Sequence, residues 1–581
     1  MKLVIRQYLA SLKERGELDA LLPDLLSQMG LEVFLKPGIG SRQYGVDVGA
    51  VGKLSQDTED KVFLFSVKSG DLGRKDWDGG NPQDLRPSIN EIIDVFIPTR
   101  VPSEYKGLPV EICLCFGGEI KEEVRANVSS FLDREKSDKL SFSEWNGDRL
   151  STLIEQNMLR EELLPANCRG LLRKSLAMLD EPDIAFKHFS QLAFLLTNTN
   201  EKKPRQILTG IRQLYLCVWI LYSWCRDQDN LESAYLSAEY SLLNAWEASK
   251  FAFDKKNKDA ISTLETLNSI HKLNLDISSN YLEKKIIPHV NRLYALSHAV
   301  RASCDVDVNL KLFDVLGRIA LAGCWNYWYL SQIQDEDQEL YQALSKSVHE
   351  YQNSIKALIT NNPILFTPYK DEQAIDIVMA LWFLSLNAHN KNDIRNWLLG
   401  LTNEIYRMHN LNQRYPTTIS NYAELIEHPI EKSDEYRKSV TKGSVMYPYL
   451  SAFAAIYDVE DAYNTVKRLK REFLPHCNFQ IFFLDDSSEK HFYRFDDIHG
   501  GTLSNIDIMD EPKTLLEQLV TECKESNKVY EMSACKASLW PIILTGCRHY
   551  RLPVPMNFVL DLYTQEHHTK AQDDNTQCQC Q

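Results

Sequence analysis

An aspartate and a lysine at the ends of two short apolar runs are the residues of this chain best suited to chemistry. The stretch Gly45-Val46-Asp47 opens one run, and the stretch Ser66-Val67-Lys68 closes the other. A carboxylate can hold a divalent metal ion, and a neighbouring lysine can orient or deprotonate a water molecule beside that ion. We therefore expect hydrolytic chemistry if the fold brings the two side chains together.

A hairpin would bring them together. Residues 46–51 and 62–67 are apolar runs bounded by polar turns, a pattern that predicts buried strands. The polar segment 53–61 is short enough to join them as an antiparallel pair. The end of the second strand then lies beside the start of the first, which places Lys68 next to Asp47.

Other elements of the first 158 residues surround this predicted hairpin. Apolar residues at helical spacing predict helices over 17–29, 87–97, 119–132 and 148–154. Short apolar runs predict strands over 31–35, 110–116 and 140–142. The order is helix, three strands, helix and strand, followed by a further helix, strand and helix.

This order and the two short motifs resemble the PD-(D/E)XK nuclease superfamily, and within it the Mrr-like branch. Gly45-Val46-Asp47 corresponds to the family's acid on one strand, and Ser66-Val67-Lys68 to the x-x-Lys on the next. The resemblance implies a restriction-endonuclease-like α/β domain with an αβββαβ core over residues 1–158. It also implies that Asp47 and the Val67 carbonyl ligate Mg²⁺ or Mn²⁺ and that Lys68 orients the attacking water.

Ser66 departs from the family pattern, which usually has a carboxylate at this position. A hydroxyl is a poorer ligand than a carboxylate for a hard cation. Either the site is inactive, or another acid fills the place. Glu91 on the following helix is the preferred candidate, and Asp78 and Asp84 in the intervening loop are the alternatives.

The first helix offers one more acid. Family members often carry an acid there, and its spacing from Gly30 points to Asp19, with Glu17 as the neighbouring alternative. Acids near the start of a helix also stabilise the helix dipole, which explains both residues equally well.

The net charge of −15 excludes a protein that holds nucleic acid through its overall field. Residues 1–160 contain 21 basic against 26 acidic residues, so a nucleic-acid contact would need a local patch. Arg42, Arg74 and Lys75 flank the motifs and could bind phosphates, and Trp77 could stack on a base. The alternative is a solvated loop with one anchoring aromatic residue.

Residues 159–473 carry long stretches of helically spaced apolar residues, which predict a helical bundle or solenoid. Residues 474–566 predict an α+β subdomain with a hairpin of strands 478–484 and 491–495, and residues 567–581 predict a disordered tail. Six potential metal ligands in this subdomain match no known spacing, so a polar loop is the alternative to a metal site: His476, Cys477, His491, Asp496, Asp497 and His499.

Thirteen scattered cysteines without framework spacing indicate a reducing cytoplasm. Charged residues at Arg6 and at 13–15 argue against a signal peptide, and no apolar run is long enough to predict a membrane span.

We expect a cytoplasmic, Mg²⁺-dependent endonuclease of the restriction or anti-phage-defence type that acts on DNA, with RNA as the alternative. Its helical region would sense a trigger, form a homo-oligomer or hold a protein partner. The alternative function is an inactive scaffold that binds nucleic acid or protein.

Overall fold

The apolar runs of the N-terminal region form the strands of one mixed sheet. In a computed structural model of the chain these are β1 (Glu32–Leu35), β2 (Val48–Gly52), β3 (Lys61–Lys68), β4 (Val110–Phe116) and β5 (Leu140–Trp145). The structure describes residues 5–6, 9–10, 12, 14–37, 43–54, 57–157, 166–200, 202–300, 302–333, 337–494 and 501–561. The chain divides into two compact units, the first formed by Met1–Ser241 with Phe251–Leu273 and the second by Leu242–Lys250 with Asn274–Gln581.

The five strands lie side by side in the order in which they occur in the chain. β1 pairs with β2 and β2 with β3 in antiparallel fashion, whereas β3, β4 and β5 run parallel. Val48 lies opposite Phe65, and Lys68 lies opposite Phe116. The start of β2 and the ends of β3 and β4 therefore meet at one edge of the sheet.

Strand β3 is the centre of the sheet, and its side chains alternate between two covered faces. Leu64 belongs to a hydrophobic core that includes Ile89 and Ile92 of the helix following the strand. On the opposite face Phe65 meets Trp145 edge-on, with ring centroids 4.9 Å apart. Because both faces are buried, β3 carries a continuous apolar run instead of an alternating pattern.

The longer helices described beside the sheet are α1 (Asp19–Gln28), α2 (Arg74–Asp78), α3 (Leu85–Glu91), α4 (Glu122–Glu135) and α5 (Gly147–Asn157), and a single helical turn at Ile97–Arg100 follows α3. Two of them adjoin π-helical turns, because Glu14–Leu18 leads into α1 and Ile92–Phe96 continues α3. Such turns are frequent at functional sites. The predicted N-terminal α/β region is confirmed, with its elements in the predicted order.

Most of the remaining chain is helical, as predicted. Its first helices are α6 (Ala166–Ala177), α7 (Pro182–Thr197), α8 (Pro204–Asp227), α9 (Glu232–Ser249) and α10 (Lys258–Lys285). They are followed by α11 (Ala295–Ala299), α12 (Asp305–Gln332), α13 (Gln338–Asn361), α14 (Ala374–Ser385), α15 (Lys391–Leu411), α16 (Tyr422–Glu427), α17 (Asp434–Val440), α18 (Met446–Ile456) and α19 (Glu460–Glu472). The last are α20 (Glu489–Tyr493), α21 (Pro512–Glu525), α22 (Ser533–Lys536) and α23 (Pro541–Tyr550).

A small three-stranded sheet near the C-terminus differs from the predicted hairpin. It consists of β6 (Gly443–Ser444), β7 (Asn478–Leu484) and β8 (Gly501–Asn505), with β7 in the middle. The predicted strand at 491–495 is wrong over its helical residues, because His491, Phe492 and Tyr493 are buried in α20. So short an apolar run fits either a strand or a buried helical turn, and packing decided it.

Among the described residues no helix is both long and apolar enough to cross a bilayer. The predicted tail at 567–581 lies outside the described residues. The domain boundaries placed near residues 158 and 473 stay predictions beside the division into two units.

Gly45 forms the turn that leads to Asp47. Its φ of +81° lies in the left-handed region that favours glycine, and a Cβ there would lie 2.3 Å from the Ser88 carbonyl oxygen. Gly45→Ala should therefore lower the free energy of unfolding by about 2–4 kcal/mol, measured by urea denaturation. Gly170→Ala is the control, because a Cβ in that helix meets nothing within 4 Å. An unchanged unfolding free energy in Gly45→Ala would contradict this account.

Candidate active site

Asp47 lies on the bend before β2 and is bound to the neighbouring strand. Its Oδ2 accepts a hydrogen bond of 2.7 Å from the backbone amide of Val67. Its own amide donates to the Phe65 carbonyl at 2.9 Å. The hairpin therefore brings Asp47 against the end of β3, and one of its carboxylate oxygens is fixed there.

Lys68 ends β3, and its ammonium group meets the first helical segment of the chain. Its Nζ lies 3.2 Å from Oε1 of Glu14, and the two side chains are 12% and 29% exposed. The sequence analysis did not predict Glu14 as a site residue and used it only as one of the charged residues at 13–15. The signal was its position four residues before Leu18, because that spacing places an acid on the apolar stripe of the first helix.

Three acids act on one another at this edge of the sheet. Burial raises the pKa of Asp47 to about 6, and the carboxylates of Glu14 and Asp19 add to the rise. The Val67 amide and the Lys68 ammonium oppose the rise without cancelling it. Asp19 is itself buried on α1, so the acid predicted on the first helix lies within electrostatic reach of Asp47. The side chain of Glu17 lies outside the described residues.

Ser66 occupies the position at which the family usually carries a carboxylate. Its side chain is 1% exposed, and its hydroxyl has no hydrogen-bond partner in the part of the chain that the structure describes. Ser66 and Lys68 are two residues apart on β3, so they share one face of the strand. A buried hydroxyl without a partner costs about 1–3 kcal/mol, which makes this position unusual for a purely structural serine.

Glu91 lies at the end of α3, the helix that covers the Ser66 face of the sheet. Its position relative to the site follows from Ser88, whose backbone packs against Gly45 two residues before Asp47. Residues three apart on a helix are neighbours on its surface. Glu91 is therefore one helical turn from the contact that fixes the Asp47 bend, and it stays a predicted second acid.

The two alternative acids have structural partners, and Asp78 lies at the end of helix α2 and not in the predicted loop. Asp78 forms an ion pair with Arg86, both on the exposed surface. Asp84 accepts hydrogen bonds from the amides of Gly79 at 2.7 Å and Asn81 at 2.9 Å, which closes the turn before α3. Both carboxylates are engaged in holding this loop, which argues against a role in place of Ser66.

The predicted nucleic-acid contacts divide into exposed and buried residues. Arg74 and Lys75 are exposed at the start of α2, where they can reach phosphates. Trp77 is 3% exposed and meets the ring of Phe131 edge-on, with the ring centroids 5.5 Å apart. The prediction that Trp77 stacks on a base is therefore wrong, and the residue anchors its segment to the core. Arg42 lies outside the described residues.

A closed metal cage is absent from the described part of the chain, where no three side chains of His, Cys, Asp or Glu are grouped closely enough to hold a metal ion. Mg²⁺ usually takes one or two carboxylates and completes its octahedron with water and substrate phosphates. Among the described residues the donor set fits such an open site, because Glu14 and Asp19 face one Lys68 ammonium around Asp47 and the hydroxyl of Ser66 has no partner there. Asp47 would hold the ion, with the Val67 carbonyl and Glu91 as the further predicted ligands.

Among the described residues the second candidate metal cluster shows no group of three ligands. The Nε2 of His476 lies 2.9 Å from the Thr441 hydroxyl, and burial raises the pKa of the Cys477 thiol to about 12. His491 is buried in α20. The other three potential ligands, Asp496, Asp497 and His499, lie outside the described residues.

Comparison of the chain with family models, with curated proteins and with solved structures found no match.

The raised pKa of Asp47 has a measurable consequence for stability. Its folded pKa of about 6 exceeds the unfolded value, so the native state binds more protons between these values and loses stability as the pH rises through them. Asp47→Asn mimics the protonated acid and should raise the free energy of unfolding at pH 7.5 by up to about 3 kcal/mol. The gain should shrink towards pH 4.

Thermal melting of parent and variant at both pH values measures this difference. Asp60→Asn is the matched control, because Asp60 is an exposed acid in the turn between β2 and β3. A difference in melting temperature between parent and Asp47→Asn that does not change with pH would show that burial does not set the protonation of Asp47.

Proposed function

We propose that the N-terminal α/β region is a metal-dependent endonuclease of the PD-(D/E)XK type that hydrolyses phosphodiester bonds, in DNA with RNA as the alternative. The observation that carries the proposal is the convergence of Asp47, Lys68, Glu14 and Asp19 at one edge of the sheet. The order of elements supports it, because the resemblance implies an αβββαβ core and the helices and strands follow one another in that order.

Asp47 and Lys68 would have different roles in the proposed hydrolysis. A bound Mg²⁺ would polarise the phosphate and lower the pKa of a coordinated water. Asp47 would hold the ion through Oδ1, since Oδ2 is engaged by the Val67 amide. Lys68 would leave Glu14 for the phosphate or the attacking water, where its charge stabilises the developing negative charge.

Arg74 and Lys75 would hold the phosphate backbone beside the site, because both are exposed at the start of α2. The wider role expected from the resemblance, an effector in restriction or anti-phage defence with a sensing or assembling helical region, remains part of the proposal.

Loss of the Asp47 carboxylate should abolish cleavage. Purified parent protein should nick plasmid DNA with Mg²⁺ or Mn²⁺ and not with EDTA, and Asp47→Asn should be reduced at least about 10³-fold because the principal metal ligand is gone. Asp60→Asn should cleave as the parent does. A single-stranded RNA substrate in parallel distinguishes the two nucleic acids. Full cleavage by Asp47→Asn would refute the assignment.

The acid that replaces the missing carboxylate can be identified by two isosteric variants. Glu14 is paired with Lys68, and Glu91 lies one turn from the Gly45–Ser88 contact, so the two candidates would approach the site from different helical segments. If Glu91 is the second ligand, Glu91→Gln should raise the Mg²⁺ concentration needed for half-maximal cleavage at least about tenfold, because a carboxylate ligand becomes a neutral amide. Glu14→Gln should then change this concentration little and alter mainly the pH dependence.

The reverse pattern would assign the ligand to Glu14. Equal Mg²⁺ dependence in parent and both variants would exclude either acid as a ligand.

A non-catalytic nucleic-acid-binding module is the second candidate function. Two observations favour it: Ser66 replaces the usual carboxylate, and Lys68 is held by Glu14 in an ion pair. This function requires that the parent binds DNA without cleaving it under any metal ion, and that Arg74→Gln with Lys75→Gln weakens binding. Metal-dependent cleavage lost in Asp47→Asn excludes it.

A further inference from the structure

The second unit contains a buried guanidinium group with little compensating charge. Arg437 lies on α17, and its side chain is 12% exposed. Its nearest carboxylate, Asp434, lies 3.8 Å away and is 78% exposed. The amide oxygen of Asn412 accepts a long bond of 3.4 Å from Nη2. Buried charges in proteins are usually paired closely and hydrogen-bonded, and Arg437 falls short of both.

Two buried neutral side chains beside Arg437 also have unused hydrogen-bonding capacity. The Tyr415 hydroxyl lies beside the Arg437 guanidinium, which opposes the rise that burial causes in the pKa of Tyr415. Nδ1 of His409 and Nε of Arg437 have no hydrogen-bond partner among the described residues. Tyr415 and His409 are both fully buried. His409 does use its other nitrogen, since Nε2 lies 3.0 Å from the Tyr447 hydroxyl.

These groups belong to one stack of rings. The rings of His409 and Tyr415 stack at 4.4 Å, and the guanidinium carbon of Arg437 lies 5.7 Å from the Tyr415 centroid. Arg437 also lies 5.2 Å from the centroid of Phe473, which stacks on His409 at 5.8 Å. Three polar side chains with unused hydrogen-bonding capacity are therefore held within one aromatic cluster.

The surroundings of this cluster are positively charged. His476 is partly exposed beside it, and burial together with Lys438, Lys470 and Arg437 lowers its pKa, with Asp434 opposing. The C-terminal ends of α15 and α17 lie here and supply about half a negative charge each at most. This negative charge, even together with that of Asp434, is less than the positive charge of Lys438, Lys470 and Arg437.

We propose that the Arg437–Tyr415–His409 cluster binds a small oxyanion of the phosphate type. The Nε and one Nη of Arg437 form the fork that matches two oxygens of such an anion. The Tyr415 hydroxyl can donate a third bond. His409 can donate a fourth from Nδ1 when Nε2 accepts from Tyr447. The site is independent of the proposed nuclease activity, because all of its residues lie in the second unit.

Titration calorimetry on the full chain tests this site, with inorganic phosphate and glycerol 3-phosphate against chloride at matched ionic strength. The parent should bind phosphate saturably, and Arg437→Lys should weaken binding roughly tenfold because it keeps the charge and loses the fork. Tyr415→Phe should weaken it several-fold while preserving the ring stack. Arg407→Gln is the matched control on α15, since Arg407 is 48% exposed and pairs with Glu404.

Tighter binding of glycerol 3-phosphate than of phosphate identifies an esterified phosphate as the ligand, and the reverse identifies the free anion. The proposal is overturned if the parent binds neither, or if Arg437→Lys and Tyr415→Phe bind as tightly as Arg407→Gln. Tyr415→Phe carries the test if Arg437→Lys does not fold, because it removes one hydroxyl from a packed ring.

Discussion

The hydrogen bond from the Val67 amide to the Asp47 carboxylate fixes the site around which the first unit is arranged. It is 2.7 Å long and joins the bend before β2 to the end of β3. The bend depends on Gly45, whose backbone packs against Ser88 of α3. One bond and one glycine thus determine where a buried acid lies relative to the strand, the lysine and the covering helix. Burial raises the pKa of that acid, and this cost must be offset by packing elsewhere in the unit.

The two ends of β3 show how differently the same residue types can be used. At its start Lys61 lies 2.6 Å from Asp57 and 3.2 Å from Glu111, and its hydrogen bonds to the two acids raise its pKa. That arrangement is a closed structural ion pair. At the other end Lys68 lies 3.2 Å from Glu14, and the carboxylates of Glu14 and Asp19 help to raise the pKa of Asp47. Excess negative charge in a partly closed site is what an incoming cation can relieve, and this contrast distinguishes the end at which we propose the active site from the structural one.

The order of elements in the first unit could be predicted, because two-residue and 3.6-residue periodicities are local properties of the sequence. Contacts over long sequence separations could be predicted only where a motif pointed to them, as for Asp47 and Lys68. Glu14 pairs with Lys68 although no local pattern connects them, and Trp77 is buried because α4 happens to place Phe131 beside it. The turn 491–493 became helical for the same reason, since tertiary packing outweighs the preference of three residues. The sequence therefore indicated Asp47 and Lys68 as neighbouring candidate site residues, but it did not indicate that Glu14 lies beside the lysine.

Each unit holds buried polar groups that its own fold does not satisfy, and the two cases have opposite sign. In the first unit Glu14 and Asp19 act on Asp47, and the Ser66 hydroxyl has no partner among the described residues. In the second, the carboxylate paired with Arg437 is 3.8 Å away and exposed, and Nδ1 of the buried His409 has no partner in the part of the chain that the structure describes. Such groups destabilise a fold, and selection for stability alone would replace them with apolar residues. Local violations of this kind are expected where a sequence serves a ligand as well as a fold. The ligands we propose are a cation in the first case and an anion in the second.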